Sequence, residues 1–148
     1  MQLLNSHPPY LFAFTGFGFN PGSALLLTGN PYQAEIGALC AVNTFLSSAG
    51  GGVSALFVKM FLKERETGEK YFCLASAMNG ALSGLVAITA GCGTLEPWAA
   101  LITGTTAGIL YLWGSGLLIK LKLDDAVDAI PVHMVSFAAL LFFFILHL

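Results

Sequence analysis

The sequence predicts an all-α fold, a polytopic transmembrane bundle of about five spans. Three observations predict it: an apolar composition, the length of the apolar runs, and the segregation of the charges. Hydrophobic residues make up 56% of the chain and charged residues 9%, with a mean hydropathy of +0.78. A soluble domain carries about 25% charged residues, so lipid is the better solvent for this chain. Apolar runs fall at roughly 10–29, 33–62, 71–93, 97–119 and 129–148, and each can cross about 30 Å of hydrocarbon as a helix. Transmembrane β-strands would alternate apolar and polar residues instead. Residues 1–148 therefore read as a single transmembrane domain.

The breaks between runs have local causes. Gly29-Asn30-Pro31 and Gly93-Thr94-Leu95-Glu96-Pro97 are turn sequences, while Lys63 to Lys70 and Lys120 to Asp128 are charged. All 6 basic residues lie in two stretches, Lys59 to Lys70 and Lys120 to Lys122. With five spans the two charged connections share a face. The positive-inside rule then makes both cytoplasmic, with the N-terminus inside and the C-terminus outside. The leading MQLLNSHPPY has no basic n-region and no cleavage site, so the first span is expected to act as its own insertion signal.

Small residues cluster within the runs, at Ser47 to Gly52, Gly80 to Gly84 and Gly104 to Gly108. In lipid no hydrophobic force drives helices together, so close backbone approach at small residues must supply the attraction. That pattern fits plain helix packing, and it also fits a bundle around a narrow path. The basic stretches lack interleaved aromatics, which argues against nucleic acid as a partner. Cys40, Cys73 and Cys92 are odd in number, without CxxC spacing, and each sits in an apolar stretch. They read as packing residues, with no metal or other cofactor implied.

Few residues offer chemistry. His133 falls a few residues inside the last run, where a polar group is costly and usually faces a pore or the bundle interior. A neutral imidazole accepts at one nitrogen and donates at the other, which suits passing on a small polar solute. A buried histidine bonded to a neighbouring helix fits the same position equally well. Asp124, Asp125 and Asp128 open the last helix and read first as caps for its free N–H groups, with an ion-pair cluster beside Lys120 and Lys122 as a further option. Phe17 and Phe19 lie in a Gly- and Pro-spaced run, 16–23, that disfavours an unbroken helix. An aromatic face there can attract a cation, although lipid-facing phenylalanines are commoner. His7 and His147 lie near the ends, with no site role expected. The chain lacks G-x-S-x-G, H-E-x-x-H and any clustered nucleophile and base, so an enzyme is a poor reading.

Three segments together resemble the ammonium transporter (Amt/Mep/Rh) family: GFNPGSAL from Gly18 to Leu25, NGALSGLVAITAGCGTLEPWAALITG from Asn79 to Gly104, and KLKLDDAVDAIPVH from Lys120 to His133. The resemblance covers about residues 16–133 and corresponds to the family's C-terminal half. It implies transport of ammonium or ammonia across a lipid bilayer, usually the plasma membrane. The ion is recruited at an outer vestibule and loses its proton, and the neutral form crosses an apolar pore lined by two histidines. By resemblance His133 is the second of those histidines, Phe19 an aromatic gate, Ser23 a hydroxyl near the recruitment site, and Asp128 the carboxylate opening the histidine helix. Gly16 stands where the family usually carries Trp, and Met134 to Phe137 replace a glycine-rich continuation. The chain is thus expected to be a fragment, from truncation, alternative splicing or a partial gene model. Conduction is expected to need the N-terminal half. The resemblance also implies a homotrimer, or an assembly with full-length subunits. The alternative function is a non-conducting fragment that associates with such subunits and regulates them.

Overall fold

The computed structural model describes residues 16, 18–23, 31–125 and 128–134, and every regular element among them is helical. Three helices dominate: α1 (Pro31–Thr67), α2 (Leu74–Ile88) and α3 (Pro97–Lys120). Helical segments at 18–23 and 129–134 flank them in sequence. Most of the first and last apolar runs, Phe17 included, lies outside the described residues. Segment 18–23 is helical through Pro21 and Gly22, where the composition had argued for a break.

Helix α1 starts on Pro31, whose missing N–H would have no partner in a first turn. It does not stop at the charged stretch expected to end it. Lys63, Glu64, Arg65 and Glu66 are good helix formers and carry the helix on to Thr67, where Gly68, at φ 74°, turns the chain. The Gly68 N–H then bonds Glu64 O at 2.8 Å, and ion pairs Lys63–Glu66 (3.3 Å) and Lys70–Glu64 (3.7 Å) dress the exposed end. Helix α2 is shorter than the run 71–93. After Ile88 the chain breaks into turns, with Gly91 O accepting from Thr94 and Leu95 N–H at 3.1 and 2.9 Å. Helix α3 begins with Glu96 extended at its N-cap and Pro97 in the first turn, as the turn sequence required.

The three helices run antiparallel in succession and all pack on one another. Lys59, Lys63, Arg65, Lys70, Lys120 and Lys122 consequently lie at one end of the unit. Helices α1 and α3 are long and apolar enough to cross a membrane. Their outer surfaces expose large apolar side chains such as Phe45, Phe57, Phe61, Ile109 and Trp113, a face suited to lipid.

The centre is glycine. A Cβ on Gly84 or on Gly104 would strike Ser47 O of α1, and one on Gly80 or Gly108 would strike Gly51 O. The α1 backbone from Ser47 to Gly51 is thus wedged between glycine pairs spaced four residues apart on α2 and on α3. Hydroxyls clasp the same region: Ser47 Oγ donates to Gly84 O at 2.7 Å, and Ser54 Oγ to Thr105 O at 3.0 Å. Farther along, buried Asn43 donates from Nδ2 to Cys92 O (2.9 Å) and Leu95 O (2.7 Å), tying α1 to the α2–α3 turn. Cys40 and Cys92 pack there with Ile88 and Ala100, in the space-filling role expected of them.

Substitution of Gly104 separates this packing from generic helix propensity. Gly104→Val is expected to destabilise the bundle by about 3 kcal/mol or more, since its contacts are backbone atoms that cannot rotate aside. Gly116→Ala, where an added Cβ meets nothing, should be neutral or gain up to about 1 kcal/mol from helix propensity. Thermal unfolding in detergent micelles, read by circular dichroism, measures both; equal effects would contradict the packing account.

Candidate functional site

Segment 18–23 is anchored by a buried amide. Asn20 Nδ2 donates to Thr44 Oγ1 at 3.1 Å, and Thr44 Oγ1 donates in turn to Cys40 O at 2.6 Å. With Asn20 turned onto α1, its neighbour Phe19 points outward and is 62% exposed. Gly16 lies over Leu85 of α2, whose methyl groups would sit 3.1 and 3.2 Å from a Cβ added there. At this position a bulky residue must displace Leu85.

Segment 129–134 is seated in a similar way. Pro131 and Val132 are buried, Val132 in a cluster with Tyr111 and Ala55, and the next residue, His133, is exposed. The two segments and α2 enclose an open cavity of about 510 Å³ lined by Gly16, Phe19, Asn20, Leu82, Leu85, Val86, Thr89, Val132 and His133. His133 and Phe19, singled out in the sequence for separate reasons, meet in this cavity. Its walls are mostly aliphatic, so an imidazole, an amide and a threonine hydroxyl are the polar groups it presents. Ser23 is exposed at the end of its segment and does not line the cavity.

Asp128 stands at the other end of the histidine segment, and its carboxylate does not cap that segment. Tyr111 Oη donates to Asp128 Oδ2 at 2.8 Å, Ser115 Oγ donates to Oδ1 at 3.1 Å, and Asn79 Nδ2 approaches Oδ2 at 3.5 Å. Capping falls to Asp125, whose Oδ2 accepts from Ile130 N–H at 2.8 Å. The α3 face supplies two donors, so the Asp128 side chain turns inward and leaves the helix end to the earlier aspartate. Asp124 is exposed, and the ion pairs among the described residues lie in the other charged stretch, at the end of α1, rather than between these aspartates and Lys120 or Lys122.

Sequence reasoning passed over Asn20, Thr89, Tyr111 and Ser115. Asn20 and Thr89 had a usable signal, being polar groups inside apolar runs. Tyr111 and Ser115 are spaced i, i+4 and so share a helix face, but nothing local marks that face as the one meeting Asp128.

Residues 10–147 match the Ammonium Transporter Family. A Synechocystis protein assigned as an ammonium transporter is 44% identical over 117 residues, covering 79% of this chain and 25% of that protein. Ammonium transporter Amt2 of Archaeoglobus fulgidus is 38% identical over 124 residues, covering 84% and 24%. The chain thus spans about a quarter of the length of these relatives. A crystal structure of a single-residue variant of Mep2 from Candida albicans superposes with a TM-score of 0.61 at 29% identity, over 68% of this chain and 21% of that one. Glycine-wedged apolar helices, the cavity they border and a family match along nearly the whole chain lead to one conclusion: this is a membrane-embedded, all-helical member of the ammonium transporter family, a family of transporters and not of enzymes.

Proposed function

We propose that this chain supplies part of the conduction path of an ammonium transporter. The observation that carries the reading is that His133 and Phe19 both line one mostly aliphatic cavity. Moving a bare cation into such surroundings costs far more than moving its uncharged conjugate base. A path walled by Leu82, Leu85, Val86 and Val132 therefore favours ammonia over ammonium and over alkali cations. The His133 imidazole offers the neutral solute both a donor and an acceptor on the way.

The other roles are those that the family resemblance implies. Phe19, exposed at the cavity, acts as an aromatic gate, where a ring face attracts an arriving cation by about 0.5–2 kcal/mol. Ser23, at the end of the same segment, acts as a hydroxyl on the approach to the gate. Asp128 anchors the helix that bears the histidine. The basic residues gathered at one end of the bundle support a cytoplasmic placement for that end, with the N-terminus inside. Plasma membrane residence and assembly as a trimer, or with full-length subunits, belong to the same reading. Because the relatives are about four times longer, conduction is assigned to this chain together with the remainder of a transporter, in one polypeptide or in trans.

Methylammonium uptake by cells that co-express the chain with an N-terminal half of a relative tests the proposal. His133→Ala should lower uptake about tenfold or more, corresponding to about 1.4 kcal/mol or more of lost stabilisation along the path. Uptake that depends on the chain yet is indifferent to His133→Ala would remove the histidine from the path. A chain that incorporates and only depresses uptake by intact transporter subunits would favour the regulatory role.

A further inference from the structure

We infer that Tyr111, Ser115 and Asn79 are positioning residues for His133: they clamp the Asp128 carboxylate and thereby set how segment 129–134, and the imidazole it carries, stands at the cavity. The importance of this clamp to transport rests on the proposed pore role of His133; the clamp itself rests on geometry alone.

Four observations converge on it. Asp128 has φ 54°, a left-handed conformation that a non-glycine residue holds only when its surroundings impose it. Those surroundings come from two helices. Tyr111 and Ser115, one turn apart on α3, hold one carboxylate oxygen each at 2.8 and 3.1 Å. Asn79 of α2 donates to Tyr111 Oη at 3.1 Å, so the phenol is oriented from behind while it donates forward. The clamped residue is also the first acceptor of the histidine segment, since Val132 N–H bonds Asp128 O at 3.2 Å.

The segment therefore has two fixed points. Asp128 is held by its side chain, and Val132 is buried in one hydrophobic cluster with the Tyr111 that holds Asp128. His133 follows directly. Helical residues are offset by about 100°, so a one-residue change in seating at Asp128 would turn His133 out of its present position at the cavity. Burial makes the clamp stringent: Tyr111 is 3% exposed, and removing its hydroxyl leaves Asn79 and Asp128 without their shared partner.

The full chain in liposomes, treated with diethyl pyrocarbonate, provides a readout that stability alone does not move. The modification rate of His133 is followed by peptide mass spectrometry, with His7 and His147 as internal references. Tyr111→Phe should change the His133 rate about threefold or more, relative to both references, and Ser115→Ala should shift it in the same direction by less. Adding Asp128→Asn to Tyr111→Phe should bring little further change, because both remove one interaction. A His133 rate equal to that of the parent chain in folded Tyr111→Phe overturns the clamp. If Tyr111→Phe does not fold, an unchanged rate in Ser115→Ala overturns it instead. Altered His133 rates without uptake in any assembly would remove the transport reading and leave the clamp. Uptake that needs His133, with rates untouched by the clamp variants, would do the reverse.

Discussion

Backbone contact at glycine is the constraint on which the rest of this structure depends. Helices in lipid gain nothing from burying leucine against leucine, because acyl chains already solvate both. What holds α1, α2 and α3 together is the approach of Ser47 and Gly51 carbonyls into gaps left by Gly80, Gly84, Gly104 and Gly108. That approach brings dispersion contacts along whole backbones, and it lets short hydroxyls such as Ser47 and Ser54 reach carbonyls on neighbouring helices. Side chains of ordinary size at these glycines would hold the helices apart and put the bonds out of reach.

The cavity inherits its geometry from that packing. Its α2 wall, Leu82 to Val86, overlaps the glycine stripe, so one helix presents small residues to α1 and α3 and branched ones to the cavity. The two flanking segments carry His133 and Phe19 and are fastened to the rigid unit by polar side chains, Asn20 on Thr44 and Asp128 on Tyr111 and Ser115. In an apolar setting such bonds are costly to leave unmade, which makes each one a strong constraint on where the segment sits. A dry core thus supports a small number of well-placed polar groups.

Much of this was legible in the residues. Composition and run length pointed to lipid, and small residues at four-residue spacing marked the very positions where the helices meet. The end of the turn at Pro97 was readable because Pro acts locally, whereas its start after Ile88, short of Gly93, was not. The end of α1 was harder: charge suggested a loop, but Lys, Glu and Arg also prefer helix, and Gly68 decided the boundary. The Asp128 clamp was not legible at all. Its donors lie 13, 17 and 49 residues away in sequence, and only the packing of α2 against α3 brings them together. His133 and Phe19 could each be suspected singly, yet their meeting depends on the same tertiary fact.

Cross-linking in the membrane tests most directly the claim that glycine packing brings His133 and Phe19 to one cavity. Cysteines at Phe19 and His133, in a Cys73→Ser background that leaves buried Cys40 and Cys92 in place, would be treated with a short bifunctional maleimide. The account predicts an intramolecular link in the otherwise unchanged chain. It also predicts loss of most of that link when Gly104→Val forces α1 and α3 apart within the bilayer. Absence of the link although both thiols react singly, or a link that survives undiminished after the helices are separated, would contradict it.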